Sequence, residues 1–350
     1  ARGPDMRLFT LLLFISSLVL TGCTSTDATD TSSSTDVRPT PAPQSGMGRL
    51  SLSLTDAPVD DAYSVVVQFN KVSIRGVGAT DDIVFDLDLV MSVDLLTLQG
   101  ANAETVITDE VVPAGSYDEI RLFIDSVPGV EDSYIVLEQG GAQHDLEVPS
   151  GTQSGLKVKG ELTVPEDGSA SFTIDFDVRR SIVKAGNENS KNGVKYMLKP
   201  VLHLVQDDQS GVIRGTVATG LLDAAAGCSD DDVDSYNAVY VFEGSVSPDD
   251  IDDDTVEPVT TALVSYNTGS VSYEYEVGFL PAGDYTVAFT CNADLELVDV
   301  DDDLKFTIGR AAPVTALGKT VVDFTTDDLD SDGDGVADIA DAFPDDPLQS

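Results

Sequence analysis

From Arg49 onward almost every segment alternates apolar and polar residues, a period of two that fits a half-buried, pleated strand and not a helix. Leu50, Leu52 and Leu54 alternate with polar neighbours, as do Val65, Val67 and Phe69. Ile120, Leu122 and Ile124 repeat the pattern, and so do Ile174, Phe176 and Val178. Clusters of Gly, Pro, Asp and Asn separate these runs, and no segment holds a 3.6-residue apolar period over three turns. The chain therefore reads as all-β, most simply two antiparallel β-sandwich domains in tandem. A hydrophobic fraction of 41% supplies packed cores, although 62 acidic residues face only 19 basic ones and the net charge is −43. Such a chain is globular rather than disordered, and its field argues against nucleic acid as a partner. Residues 211–350 hold 31 acidic and 4 basic side chains, so the negative charge grows towards the C-terminus.

Residues 24–46 are rich in Ser, Thr, Asp and Pro and lack any hydrophobic period. They read as a flexible tether of ~25 Å reach. A boundary is expected near 206–210 (Q-D-D-Q-S), which divides the chain into 47–206, 207–326 and a short tail, 327–350. Both larger parts carry one phrase: Pro113-Ala-Gly-Ser-Tyr117 and Pro281-Ala-Gly-Asp-Tyr285. Pro followed by Gly favours a tight turn, and the tyrosine opens an apolar strand that can pin the turn to the core.

At the other end, Leu20-Thr21-Gly22-Cys23 closes an apolar run over 8–20, with Arg7 in front of it. A basic n-region, an apolar h-region and small residues before a cut make 1–22 a secretory signal, with Met6 as the start. Thirteen residues give a helix of only ~20 Å, too short for a ~30 Å hydrocarbon core. The box resembles the cleavage site of bacterial lipoproteins. That resemblance implies an acylated Cys23, a membrane partner through the lipid and, with Thr24 rather than Asp following, the outer membrane, on its periplasmic or surface face. An ordinary signal peptide is the alternative. With Cys23 so assigned, Cys228 and Cys291 remain as a pair in an exported chain, where a disulfide is expected. It closes a loop worth ~4 kcal/mol in the chain-entropy model. A metal-binding thiol is disfavoured because no histidine lies in that half.

The strongest chemical motif is Asp330-Ser-Asp332-Gly-Asp334-Gly335-Val336-Ala-Asp338-Ile-Ala-Asp341. Alternate carboxylates let a 12-residue loop wrap a hard cation through positions 1, 3, 5, 9 and 12, with the Val336 carbonyl at position 7 and glycine at the turn. Ca²⁺ is the expected cofactor, with Asp rather than Glu at position 12 weakening closure. A register starting at Asp328 would put Ile339 at position 12. Pro344 and Pro347 argue against an exit helix. The segment is similar to a thrombospondin type 3 repeat, which implies calcium binding. Three further acidic runs, at 230–232, 249–254 and 301–303, lack ligand spacing and read as solvated loops.

Six basic residues, Arg179, Arg180, Lys184, Lys191, Lys195 and Lys199, crowd one stretch of an acidic chain. They either hold an anionic glycan or lipid headgroup or neutralise Asp56, Asp175 and Asp177 internally. Asp175 and Asp177 share one side of a strand and offer a cation site or an acid–base pair. Gly151-Thr-Gln-Ser-Gly155 is neither a nucleophile elbow nor a phosphate loop. His144 and His203 are too few for zinc, and His203 alternates with Val201 and Val205 as a packed core residue would. The absence of Trp weakens a sugar platform, although ten tyrosines remain.

Residues 47–206 resemble an uncharacterised bacterial lipoprotein domain family through Leu54-Thr-Asp-Ala-Pro58, Val93-Asp-Leu-Leu96, Ile120-Arg-Leu122, Pro149-Ser-Gly-Thr-Gln-Ser-Gly155, Ile174-Asp-Phe-Asp177 and Leu198-Lys-Pro-Val201. The family implies export and lipid anchoring and brings no activity. Residues 207–326 resemble carboxypeptidase-regulatory-like, transthyretin-like sandwiches through G-V-I-R-G-T-V at 211–217, F-L-P-A-G-D-Y-T-V-A-F at 279–289 and V-V-D-F at 321–324. Together these features lead to the expectation of a non-enzymatic envelope lipoprotein for adhesion or matrix contact. A glycan-binding module served by 179–199 is the second reading, and a hydrolase with paired carboxylates the third.

Overall fold

The computed structural model describes residues 46–57, 62–125, 132–149, 151–186, 194–223, 226–228, 232–252, 255–297, 300–301, 304–344, 346 and 348. The signal, Cys23 and the tether lie outside the described residues, as does Lys191. The first part of the chain contributes β1 (Met47–Ala57), β2 (Ser64–Gly76), β3 (Ile83–Asp94), β4 (Glu104–Pro113), β5 (Gly115–Asp125), β6 (Tyr134–Val136) and β7 (Gln143–Glu147). It continues with β8 (Leu156–Val164), β9 (Ser169–Asp177), β10 (Ile182–Gly186), β11 (Val194–Leu198) and β12 (Val201–Gln206). The second contributes β13 (Ser210–Val217), β14 (Ala238–Glu243), β15 (Pro258–Leu263), β16 (Ser265–Asn267), β17 (Ser272–Pro281), β18 (Tyr285–Thr290), β19 (Arg310–Ala311) and β20 (Lys319–Val321). Among the described residues, helix is confined to single turns such as α1 (Gly151–Ser154) and α2 (Val178–Ser181). The fold is all-β, as the period of two requires.

Four sheets make two sandwiches. The first packs the order β12-β9-β1-β4 against β10-β11-β7-β6-β2-β5-β8, with β3 on the other edge of β2. The second packs β16-β17-β13-β20 against β15-β14-β18-β19. Each has its own buried core, one around Leu50, Phe69, Phe172 and Phe176 and one around Ile213, Val287 and Phe324. The sheets are not purely antiparallel: β1–β9, β7–β11 and β13–β20 run parallel. Each of those pairs is separated by a long excursion through the facing sheet, the crossover that parallel pairing needs. No helix among the described residues is long and apolar enough to cross a membrane.

Local chemistry explains three details that position the sites. The repeated Pro-Ala-Gly-x-Tyr phrase closes the same corner twice. Tyr117 Oη donates to the Pro113 carbonyl at 2.5 Å, and Tyr285 Oη to the Pro281 carbonyl at 2.9 Å. Strand β14 is an unbroken apolar run because both its faces are covered. Val239 and Val241 enter the sandwich core, while Ala238, Tyr240 and Phe242 pack outward with Ile251, Ala293 and Phe306. Cys228 and Cys291 form the disulfide, with Cα atoms 5.2 Å apart, and it ties the loop before β14 to the end of β18.

Candidate metal centre

The tail loop is built by local hydrogen bonds that the spacing of its aspartates dictates. Asp330 Oδ1 and Oδ2 accept from the amides of Gly333 and Gly335 at 2.8 and 2.9 Å. Asp332 Oδ1 accepts from Asp334 N at 3.2 Å, and Asp334 Oδ1 from Val336 N at 2.8 Å. Gly335 turns at φ +87°, the left-handed region where a side chain is strained. The result brings one carboxylate oxygen each from Asp330, Asp332 and Asp334 within 4.8 Å of one another. Asp330 is buried, and desolvation first, then repulsion from Asp334 and Asp332, raises its carboxyl above the usual range. Buried Oδ2 atoms of Asp332 and Asp341 accept no hydrogen bond.

Asp338 does not join that group. Both its oxygens are occupied by Ser331, from N at 2.7 Å and from Oγ at 2.6 Å, as befits a position that commonly reaches a cation through water. Asp341 Oδ1 accepts from Phe343 N, and no helix follows among the described residues. Asp328, the first position of the other register, is engaged elsewhere. That side chain is buried, ion-paired to Arg310 Nη1 at 2.5 Å, and caps its own turn through Thr325. The same contacts dock the loop: Ile308 N donates to the Asp328 carbonyl and Lys305 Nζ to the Ser331 carbonyl.

The basic stretch does not form one patch. Arg179 is buried at the seam between the sandwiches, its Nη1 3.5 Å from Tyr240 Oη and its guanidinium 5.8 Å from the Tyr240 ring centre. Tyr240 in turn donates to Glu296 Oε2 at 3.0 Å. Burial raises the Glu296 carboxyl, while the Tyr240 and Ile251 hydrogen bonds and the Arg179 charge act the other way. Arg180 reaches Glu257 at 3.5 Å. Lys195 pairs with Glu147, and Lys184 and Lys199 are exposed on β10 and just beyond β11. The two arginines are thus joined to the second sandwich, a role that needed its docked surface to become visible.

Asp175 and Asp177 do share a strand face, but a third carboxylate accompanies them. The alternation of Leu50, Leu52 and Leu54 carries on to Asp56, placing it in register with Phe176, where the next core residue would stand. Asp56 is 4% exposed, and neither oxygen closes a hydrogen bond, although the Val178 amide lies near enough to favour its charge. Burial, then Asp175 and Asp177, pushes its carboxyl well up. Burial and Asp177 raise Asp175 to about 7. Asp177 is also raised by burial, opposed by the Arg180 amide it caps at 3.1 Å and by the charges of Arg180, His203 and Arg179. The cavity beside Asp175 measures about 10 Å³ and is shared with Thr55, Thr260 and Thr261, room for a water and not for a substrate.

Two smaller expectations change, those for His203 and for the acidic run at 249–254. His203 is exposed and not in the core, although Val205 on the same face of β12 is buried. Gly151–Ser154 forms the one-turn α1, its Ser154 carbonyl accepting from Arg121 at 3.0 Å. The acidic run at 249–254 is not wholly solvated: Asp250 is buried, and its neighbours raise Asp249 together with desolvation.

Residues 47–200 match the model of a domain of unknown function, DUF4382. No curated protein matches the sequence. Among solved structures, a leucine-rich repeat protein from Bacteroides thetaiotaomicron is similar at 11% identity, covering 80% of this chain and 26% of that one, with a TM-score of 0.20. The chain thus spans about a quarter of that protein. A candidate cell adhesion protein from Bacteroides eggerthii is similar at 11% identity over 87% and 93% of the two chains, TM-score 0.21. A fimbrial protein from Bacteroides ovatus is similar at 9% identity over 80% and 48%, TM-score 0.18. TM-scores this low carry neither a shared topology nor a shared ligand.

Proposed function

We propose that the chain is a non-enzymatic lipoprotein of the cell envelope, held in the outer membrane through an acylated Cys23, with a calcium-binding loop at its far end. Its role in this reading is adhesion or matrix contact, with the two sandwiches as a rigid spacer and calcium stiffening the tail. The observation that carries it is the convergence of Asp330, Asp332 and Asp334 within 4.8 Å, with the Asp332 and Asp341 Oδ2 atoms buried and unbonded. Oxygen-only ligands around a glycine turn suit Ca²⁺, which takes 6–8 oxygens in flexible geometry, better than Mg²⁺, which demands a near-ideal octahedron. The Val336 carbonyl and water through Asp338 would complete the shell. The cations nearest the loop are already engaged: Arg310 with Asp328, and Lys305 with the Ser331 carbonyl. Titration calorimetry of the full chain with CaCl₂ tests the site. One binding event is expected in the wild type and none in Asp332→Asn; no heat at millimolar calcium in either would overturn it. Fractionation of Cys23→Ser cells tests the anchor, with loss from the membrane pellet expected.

A further inference from the structure

The seam between the sandwiches holds a cleft of about 540 Å³ that neither the loop nor the basic stretch accounts for. Its floor is the outward face of β13 and β17. The period that buries Ile213, Tyr275 and Val277 turns Arg214, Thr216, Glu274 and Glu276 the other way. The first sandwich supplies a wall, Gln99 to Asn102, anchored where the Gly278 amide donates to the Gly100 carbonyl at 3.1 Å. That approach needs glycine, because a Cβ at 278 would stand 2.7 Å from Gly100 O and Ala101 Cα.

The polar groups of the cleft are set in place before any ligand arrives. Asp323 Oδ1 accepts from Thr216 N and Oγ1 at 2.8 and 2.9 Å. Glu274 accepts from Asn267, Ser270 and Ser272, at 2.8, 2.5 and 2.7 Å. Arg214 and Glu276 are direct cross-strand partners. Among the described residues, however, neither closes an ion pair within 4.0 Å, so a guanidinium donor and a carboxylate acceptor both keep capacity facing the cleft.

This lining selects by exclusion. Three carboxylates repel a phosphate, a sulfate or a uronate. Arg214 opposes a bare metal ion, and no three of the cleft's acidic groups converge as those of the tail loop do. An apolar ligand finds little, since Tyr275 is buried with its hydroxyl bonded to the Val322 carbonyl. Vicinal hydroxyls, each able to donate and accept, match an adjacent guanidinium and carboxylate, and the exposed Val321 offers a patch for C–H surface. The size lies within the range of ligand pockets, ~300–1,000 Å³. We propose that this cleft binds a short neutral oligosaccharide.

The proposal is independent of the calcium loop, none of whose residues lines the cleft. The test is an array of neutral hexose and N-acetylhexosamine oligomers printed beside sulfated and uronic-acid glycans, probed with the full chain and followed by calorimetry on the best neutral hit. Binding to a neutral oligomer is expected, with Arg214→Ala and Glu276→Gln each weakening it about tenfold or more. Lys195→Ala and Lys199→Ala should leave it unchanged. Thermal melts confirm that these surface variants fold. No neutral ligand, binding insensitive to both cleft variants, or binding lost with the lysine variants would each overturn it. Calcium binding in the same samples reports on the tail loop separately.

Discussion

Asp56 is the residue whose chemistry runs most against its place. A carboxylate stands where the alternation of β1 calls for an aliphatic side chain, with Asp175, Asp177 and Asp94 as the acidic groups around it. Arg179 and Arg180 on α2 and His203 on β12 offset the charge of Asp177. Asp175 sits at about 7 in the fold against an ordinary 3.8, so between those values the folded chain holds a proton that the unfolded chain has released. Stability from this group is present in full below about pH 4 and is lost as the pH rises through 7. Chemical denaturation at pH 5 and at pH 8 should show the lower stability at pH 8. Asp56→Asn should raise stability at pH 8 by about 1–3 kcal/mol, with a much smaller gain near pH 4. An equal gain at both values would mean that the charge is not what the site resists.

At the scale of the element, the tail loop and the sandwich seam differ in how they are made, and so in how far the sequence foretells them. The loop is assembled within twelve residues, with Asp330, Asp332 and Asp334 each bonded to an amide two, three or five positions on. Its ligands and its turn glycine are legible in the spacing alone. Gly335→Ala places a Cβ at φ +87°, a strain of ~1–2 kcal/mol. Calcium affinity by calorimetry should therefore fall about tenfold, while Gly141→Ala, distant from the loop, should not change it. The basic stretch is the opposite case. Its crowding is plain in sequence, but the partners of Arg179 lie on β14 and beyond, brought up only when the second sandwich docks. Composition could give its charge and not its direction. Asp56 lay between: the alternation that reaches it was readable, while its burial against Phe176 depended on the parallel pairing of β1 with β9.

For the whole molecule, two sandwiches share a polar seam and end in an acidic loop docked on the second. The Cys228–Cys291 bridge spans 63 residues of that second sandwich and constrains its unfolded state by ~4 kcal/mol. Reduction should lower the denaturation midpoint of this half and leave the first sandwich's transition in place, as limited proteolysis during unfolding can report. In the proposed reading, calcium orders the loop from Asp330 to Asp341. Hydrogen–deuterium exchange of the full chain, with CaCl₂ and with chelator, tests that ordering at the atoms concerned. Calcium should slow exchange at the Gly333, Gly335 and Val336 amides in the wild type and leave Asp332→Asn unaffected. Identical exchange at those amides in calcium and in chelator would contradict it.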